Sequence, residues 1–208
     1  MSDEQLTVET NEWANAEHAN AYLARAHLLP RRDESYDELL ALLPAKPRRV
    51  LDLGTGNGHV LGLIGAPGVG VDFSPAMLDA ARARFADRPD VEVVDHNLNA
   101  GLPDLGSFDV VVSAFAIHHC PDGRKRALYA EVFERLEPGG MFANLEHVSS
   151  PTPRLHEQFL ALVDAPEDPS NQLLDVETQL RWLREIGFVD VECFWKWREL
   201  ALLAGIKP

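Results

Sequence analysis

The chain has 208 residues, 46% of them hydrophobic and 25% charged, and its 19 Lys+Arg against 33 Asp+Glu give a formal net charge of −14. That apolar fraction suits one globular domain with a sizeable core and argues against intrinsic disorder, which pairs high charge with low hydrophobicity. The basic clusters (Arg31-Arg32, Arg48-Arg49 and Arg124-Lys125-Arg126) are short and scattered. A nucleic-acid partner held through its phosphates is therefore disfavoured. Residues 1–12 are acidic and polar, which predicts neither a signal nor a transit peptide. No apolar run approaches the ~18–20 residues of a membrane span, so no membrane partner is expected. Two cysteines, Cys120 and Cys193, make neither a disulfide framework nor a metal knuckle, and a cytoplasmic location is expected.

In chain order, residues 10–29 are Ala-rich and read as a helix ending before Pro30. Asp33 is expected to cap a second helix running through Tyr36, Leu39, Leu40 and Leu43 to Pro44. The pattern then changes. Residues 49–53 form a short apolar run stopped by Gly54-Thr55-Gly56-Asn57-Gly58, a buried strand feeding a glycine turn. A short helix follows, with Gly65 as its stop, and a second strand covers residues 69–73. Ser74-Pro75 gives an N-cap with proline at the first helical position, opening a helix over 76–85. Strands are expected at 91–95 and 108–113, then a helix over 124–136 stopped by Pro138-Gly139-Gly140, and a fifth strand over 141–148. Residues 149–174, with four prolines, are long for a connection and are read as a helix near 154–163 or a lid. Asp175 caps a helix over 176–186 ended by Gly187, and strands at 189–197 and 200–206 make a hairpin. Apolar strands alternating with helices predict an α/β fold with an open, mostly parallel sheet covered on both faces and an antiparallel edge.

Chemistry concentrates at the glycine turn. Glycines at the C-terminal end of a first strand let backbone N–H groups approach a ligand with no Cβ in the way. Asp72 ends the second strand about 20 residues after the first, where a carboxylate can accept both hydroxyls of a ribose. A dinucleotide fold would place a glycine at position 59, and His59 stands there instead. No Walker lysine follows, so a nucleoside triphosphate is not supported.

These residues resemble the class I S-adenosylmethionine-dependent methyltransferases, in their ubiquinone/menaquinone-type small-molecule branch. Val50-Leu51-Asp52-Leu53-Gly54-Thr55-Gly56-Asn57-Gly58 is similar to that family's first motif, and Val71-Asp72-Phe73-Ser74-Pro75-Ala76-Met77-Leu78 to its second. Asp95-His96-Asn97-Leu98 stands where relatives contact the adenine. The run from Phe108 to Ser113, continuing to Ala116-Ile117-His118-His119, is similar to the fourth-strand motif, and Leu136-Glu137-Pro138-Gly139-Gly140 to the turn before strand five. The resemblance is strong over about residues 48–148 and weaker over the terminal helix and hairpin.

The resemblance implies a Rossmann-like seven-stranded sheet with an antiparallel last strand, and S-adenosyl-L-methionine as cofactor. It implies that Gly54, Thr55, Gly56 and Gly58 line the methionine and ribose while Asp72 holds the ribose hydroxyls. Asp95 would accept from the adenine amino group, with His96 and Asn97 beside it. Phe73, Met77 and Leu98 would sandwich the ring, although plain core packing is the competing reading for Phe73 and Leu98. Asp52 would reach the ammonium end, and Ala114 closes the pocket from the fourth strand. Candidate catalytic groups are those at the ends of strands four and five: His119, with Glu146 and His147. An imidazole suits proton removal, but His119 also suits shaping the cofactor pocket. His118-His119-Cys120 are adjacent and converge poorly, so no metal is expected.

One domain is expected, with an N-terminal helical cap over 1–47, a cofactor-binding core over 48–148, a lid over 149–174 and a terminal helix and hairpin over 175–208. Trp13 and Tyr22 in the cap could close over an acceptor, and Trp195 and Trp197 would share a strand face. The expected activity is methyl transfer to a small-molecule acceptor by a monomer or homodimer. The competing readings are methyl transfer to RNA or protein, a non-catalytic cofactor-binding subunit, and a nucleotide-dependent oxidoreductase.

Overall fold

A computed structural model describes residues 29–164 and 166–208. The expected helix over 10–29, with Trp13 and Tyr22, lies outside them but for residue 29. The described chain runs α1 (Arg32–Leu42), β1 (Val50–Leu53), α2 (His59–Ile64), β2 (Gly68–Asp72), α3 (Pro75–Arg84), β3 (Val91–Asp95) and β4 (Phe108–Ala114). A 3₁₀ turn (Ile117–His119) then leads to α4 (Asp122–Arg135), β5 (Leu136–His147), α5 (Pro153–Val163), α6 (Val176–Ile186), β6 (Val189–Trp197) and β7 (Leu200–Ile206).

The strands form one seven-stranded sheet in the order β3-β2-β1-β4-β5-β7-β6. β1 to β5 pair in parallel, while β7 is antiparallel to both β5 and β6. The antiparallel strand is therefore inserted inside the sheet rather than set at its edge, and β6 at the edge runs with the other five. Each central strand is apolar on both sides because both faces are covered. Leu51, Val71, Val111 and Phe142 join Leu128 and Val132 of α4 and Leu183 of α6 in one core. Val50, Val110, Val112 and Leu145 pack on the other face against Tyr36 and Leu39 of α1, Val60 of α2 and Phe85 after α3.

Several local expectations need correction. α1 begins one residue before Asp33, with Arg31 at its N-cap in the left-handed region (φ 60°), so Asp33 lies in the first turn and meets the positive end of the helix instead of capping it. Ser74 occupies the N-cap of α3, but its hydroxyl makes no capping bond; its backbone N–H donates instead to Asp72 Oδ1 at 2.9 Å. β5 starts directly at Leu136, and the Pro138-Gly139-Gly140 stretch lies within it. There the Gly139 N–H donates to the Lys207 carbonyl and the Lys207 N–H to the Gly140 carbonyl, so pairing continues through the expected turn. In β6, a register irregularity between Cys193 and Trp195 precedes the two tryptophans. Beyond it the register is regular, so Trp195 and Trp197 share a strand face as expected; Trp195 donates from Nε1 to Glu34 at 3.0 Å, and Trp197 meets Phe159 of α5 edge-on at 6.3 Å.

Residues 149–174 hold the expected helix, α5, capped by Thr152. The stretch after it runs back across the sheet's C-terminal end: the Gln172 N–H donates to the His118 carbonyl at 2.8 Å and its side-chain amide to the His119 carbonyl at 3.3 Å. Among the described residues, no helix is long and apolar enough to cross a membrane.

Candidate active site

A cavity of about 300 Å³ opens at the carboxyl ends of β1, β2 and β4. This is the position where strand order reverses in an open α/β sheet, since β1 leads to β2 on one side and lies beside β4 on the other. Its floor is the turn after β1. Gly54, Gly56 and Gly58 all take positive φ, at 69°, 55° and 75°. The demand is steric as well as conformational. A Cβ on Gly54 would stand 2.2 Å from the Ala116 Cβ, so only glycine lets the two loops touch here. A Cβ on Gly58 would strike Phe85 at 2.4 Å, and Gly58 does not line the cavity. The missing Cβ at Gly58 makes room for Phe85, which follows α3.

Asp72 caps this floor. Its carboxylate accepts from the Gly56 N–H at 2.8 Å and the Ser74 N–H at 2.9 Å, tying the end of β2 to the glycine turn. Burial, the largest influence, holds its pKa above the ordinary carboxylate value. Beneath it, Asp52 is fully enclosed and accepts from the Thr55 hydroxyl at 2.7 Å, and burial raises it to about 7. Phe73 and Met77 from one side and Leu98 from the other line the next part of the cavity, although Leu98 also belongs to the core. His96, Asn97 and Ala114 join them as expected. Asp95, paired in register with Asp72, is exposed and outside the lining. Two buried polar atoms in this wall, His96 Nε2 and Asn99 Oδ1, have no hydrogen-bond partner.

The far end is built from residues that the sequence did not single out as a site. Arg32 and Tyr36 of α1, His59 of α2 and Phe115 after β4 converge there. The Arg32 guanidinium lies 5.4 Å from the centroids of both Tyr36 and Phe115 and donates from Nε to the Tyr36 hydroxyl at 2.8 Å. Phe115 is held at φ 55°, a strained setting for an aromatic residue, with its N–H donating to the Leu145 carbonyl. Nothing in local sequence announces that backbone setting, and Tyr36 reads in sequence only as one position of an apolar helix stripe.

Of the expected catalytic groups, His119 lines the cavity and Glu146 and His147 do not. For Glu146 strand parity is the reason, while His147, of the opposite parity, is engaged by Glu199 instead. Glu146 points to the same face as Phe142 and Asn144, beneath α4 and α6. There it faces His118 Nδ1 at 2.7 Å and accepts from Asn144 Nδ2 at 3.3 Å and the His147 N–H at 3.0 Å. Burial pushes Glu146 up to about 7 and holds His118 well below the usual imidazole range. His147 turns away to Glu199, which Ser150 and His156 also contact. His119 stacks on His118 with ring centroids 4.0 Å apart and is lowered to about 3 by burial and by that neighbour, so its ring is neutral. Cys120 also lines the cavity, but burial raises its thiol to about 12 and keeps it unreactive. Among the described residues, no group of three or more His, Cys, Asp or Glu side chains is arranged to hold a metal ion.

The sheet order, the switch-point cavity and the glycine turn capped by Asp72 define a Rossmann-like enzyme that binds an adenosine-type cofactor. Residues 50–140 match a family model described as a methyltransferase domain. A demethylmenaquinone methyltransferase of Clavibacter sepedonicus is 31% identical over 195 residues, covering 81% of this chain and 77% of that protein. One from Thermus thermophilus is 37% identical over 117 residues, covering 52% of this chain and 51% of that protein. Among solved structures, an O-methyltransferase family protein from Burkholderia thailandensis superposes with a TM-score of 0.72 at 21% identity, over 94% of this chain and 61% of that one. Human N-acetylserotonin methyltransferase in complex with SAM gives 0.69 at 16% identity, over 100% of this chain and 60% of that one. At such identities the likeness is one of fold. The chain belongs to the class I S-adenosylmethionine-dependent methyltransferases, and its sequence relatives place it with the menaquinone-type branch. The cavity fits that cofactor: it offers a Cβ-free floor, a carboxylate at the end of β2, and orphaned polar atoms beside the apolar wall.

Proposed function

We propose that this methyltransferase acts on a small-molecule acceptor that enters between Tyr36, Phe115 and His119. The observation that carries the reading is that one cavity runs from the glycine turn and Asp72 to this aromatic end. When bound, the cofactor supplies an electrophilic methyl group on a sulfonium, and transfer is an in-line displacement that rests chiefly on alignment. Gly54, Thr55 and Gly56 form the floor under the methionine and ribose, and Asp72 holds the ribose hydroxyls. Phe73, Met77 and Leu98 clasp the adenine, with His96 and Asn97 at its polar edge. Asp52, buried beneath the turn, offers its carboxyl group to the ammonium end, whose positive charge favours the ionised form. His119 accepts a hydrogen bond from the attacking hydroxyl or amine. Glu146 and His147 support that wall from behind rather than touch the acceptor. Demethylmenaquinone methyltransferases among the relatives, and an acidic chain whose basic clusters are short and scattered in sequence, support a small acceptor over RNA. The unpaired thiols Cys120 and Cys193 support a reducing cytoplasm.

Calorimetric titration with S-adenosylhomocysteine tests the site. Asp72→Ala should weaken binding by about ten-fold or more, as loss of hydrogen bonds to a charged group implies. Glu146→Ala should change it far less. Equal losses would mean that the ribose has been misplaced.

A further inference from the structure

We infer that His156 of α5 is a protonation-dependent latch: charged, it ties the stretch between α5 and α6 to the buried Glu199 in the turn from β6 to β7, and on losing its proton it releases that stretch at Glu167. The geometry sets both ring nitrogens against carboxylates. Nδ1 lies 3.0 and 3.1 Å from the two oxygens of Glu199, and Nε2 meets Glu167. An ionised carboxylate can only accept, and a neutral imidazole has a single N–H. Only the imidazolium, with a proton on each nitrogen, satisfies both contacts. Glu199 is fully buried, and its other side-chain partners are His147 Nε2 from β5 and the Ser150 hydroxyl. Burial would raise its pKa, but the hydrogen bonds from His147, Ser150 and His156 bring it below the ordinary carboxylate value. Among the described residues, no Lys or Arg pairs with Glu199 or Glu167. Arg198, next to Glu199 in the turn, lies over the Trp197 ring at 5.9 Å, and neither Arg154 nor Glu157 of α5 is ion-paired to His156.

Exposure decides which contact fails when the proton leaves. Glu199 has no water to take the place of the ring, and stripping a donor from a buried charge is costly. The Glu167 side chain is 53% exposed, so water replaces the imidazole there. The remaining proton therefore stays on Nδ1, the Nε2 lone pair faces an acceptor, and Glu167 parts from it. Glu167, the largest influence, holds His156 above the usual imidazole value against burial, with Glu199 adding to it. The latch is thus complete at lower pH and opens as pH rises through that raised value. The stretch it holds backs the acceptor end. Ser170 presents its hydroxyl at 3.0 Å and its carbonyl at 3.3 Å to His119 Nδ1, and the Gln172 N–H donates to the His118 carbonyl. Release at Glu167 loosens this backing from one end while Gln172 holds the other. Only that link to the acceptor rests on the reading of His119 given above; the latch does not.

Nitrogen-15 NMR of the full chain with labelled histidine reads the charge on His156. Amide hydrogen exchange, corrected for its intrinsic pH dependence, reads residues 166–171. At about pH 6.5, where an unperturbed imidazole is half charged, His156 should be mainly charged, with two pyrrole-type nitrogens. At higher pH it should become neutral with a pyridine-type Nε2, and over the same range exchange in the segment should accelerate several-fold. Glu167→Gln leaves Glu199 untouched and puts an amide there that can donate to the ring or accept from it. This variant should titrate at lower pH and lose the pH-dependent step in exchange. His156→Gln, which cannot titrate, should lose that step as well. A His156 that is mainly neutral at about pH 6.5, or a step that persists in both variants, overturns the inference. If these readouts hold but S-adenosylhomocysteine does not bind, it is the site reading that falls and the latch that stands.

Discussion

Glu146 is enclosed on all sides, and three neighbouring groups only partly replace the water that its charge would otherwise have. Its folded-state pKa, about 7, lies above the unfolded value near 4.3. The native state therefore keeps the proton over an interval in which the unfolded chain has lost it. The stabilisation from this group is complete below the unfolded pKa and is lost as pH rises through about 7. His118 works in the opposite sense, since burial lowers its pKa, but it is present in both proteins of the comparison that follows. Glu146→Gln keeps the shape and cannot ionise, and the partnerless Asn144 Oδ1 offers its new amide an acceptor. Between pH 4.5 and 8, urea unfolding should show the wild type losing on the order of 2–3 kcal/mol relative to this variant. Parallel curves for the two proteins would place Glu146 in contact with water.

At the scale of elements, caps separate the two helices that flank the returning stretch. Asp175 accepts from the Thr178 N–H at 2.7 Å, whereas Thr152 accepts from the Leu155 N–H at 3.4 Å. α6 also carries Leu180 and Leu183 into the core, so its start matters to the whole sheet face. Asp175→Ala should cost about 1 kcal/mol in equilibrium unfolding, and Thr152→Ala clearly less. The Asp175 cap is legible in sequence because an acidic residue stands directly before an amphipathic run. The strand positions are legible for a similar reason, being apolar runs bounded by turn residues. The start of β5 was not. Pro138-Gly139-Gly140 signals a turn locally, and only the distant partner Lys207 makes it part of a ladder. The same limit applies to the site. The glycine turn and Asp72 announce themselves by local spacing, while the roles of Phe115, Tyr36 and Ser170 depend on which loops tertiary packing brings together. Glu146 and His147 stand outside the cavity lining because sequence shows that they end a strand but not which loops packing brings over that end.

For the whole molecule, ligand binding and folding are one equilibrium. The cavity is assembled from β1, β2, β4, α1 and the turns between them, so a ligand that fills it holds elements from both faces of the sheet together. S-adenosylhomocysteine at about 100-fold its dissociation constant should add about 2.7 kcal/mol, which for a chain of this length raises the melting temperature by roughly 5–10 °C. NAD at the same concentration should leave it unchanged. A flat response to S-adenosylhomocysteine would mean that this chain alone does not complete the cofactor site.

The position of β7 has a consequence for how the protein is made. Leu200–Ile206 is apolar, buried, and inserted between β5 and β6. On a ribosome the first five strands can emerge and pair in parallel well before it appears. Until then β5 presents an open ladder edge and an apolar face to solvent, with β6 unable to cover either. A nascent chain stalled upstream of residue 200 would be a template for strand addition by its neighbours, not a shorter enzyme.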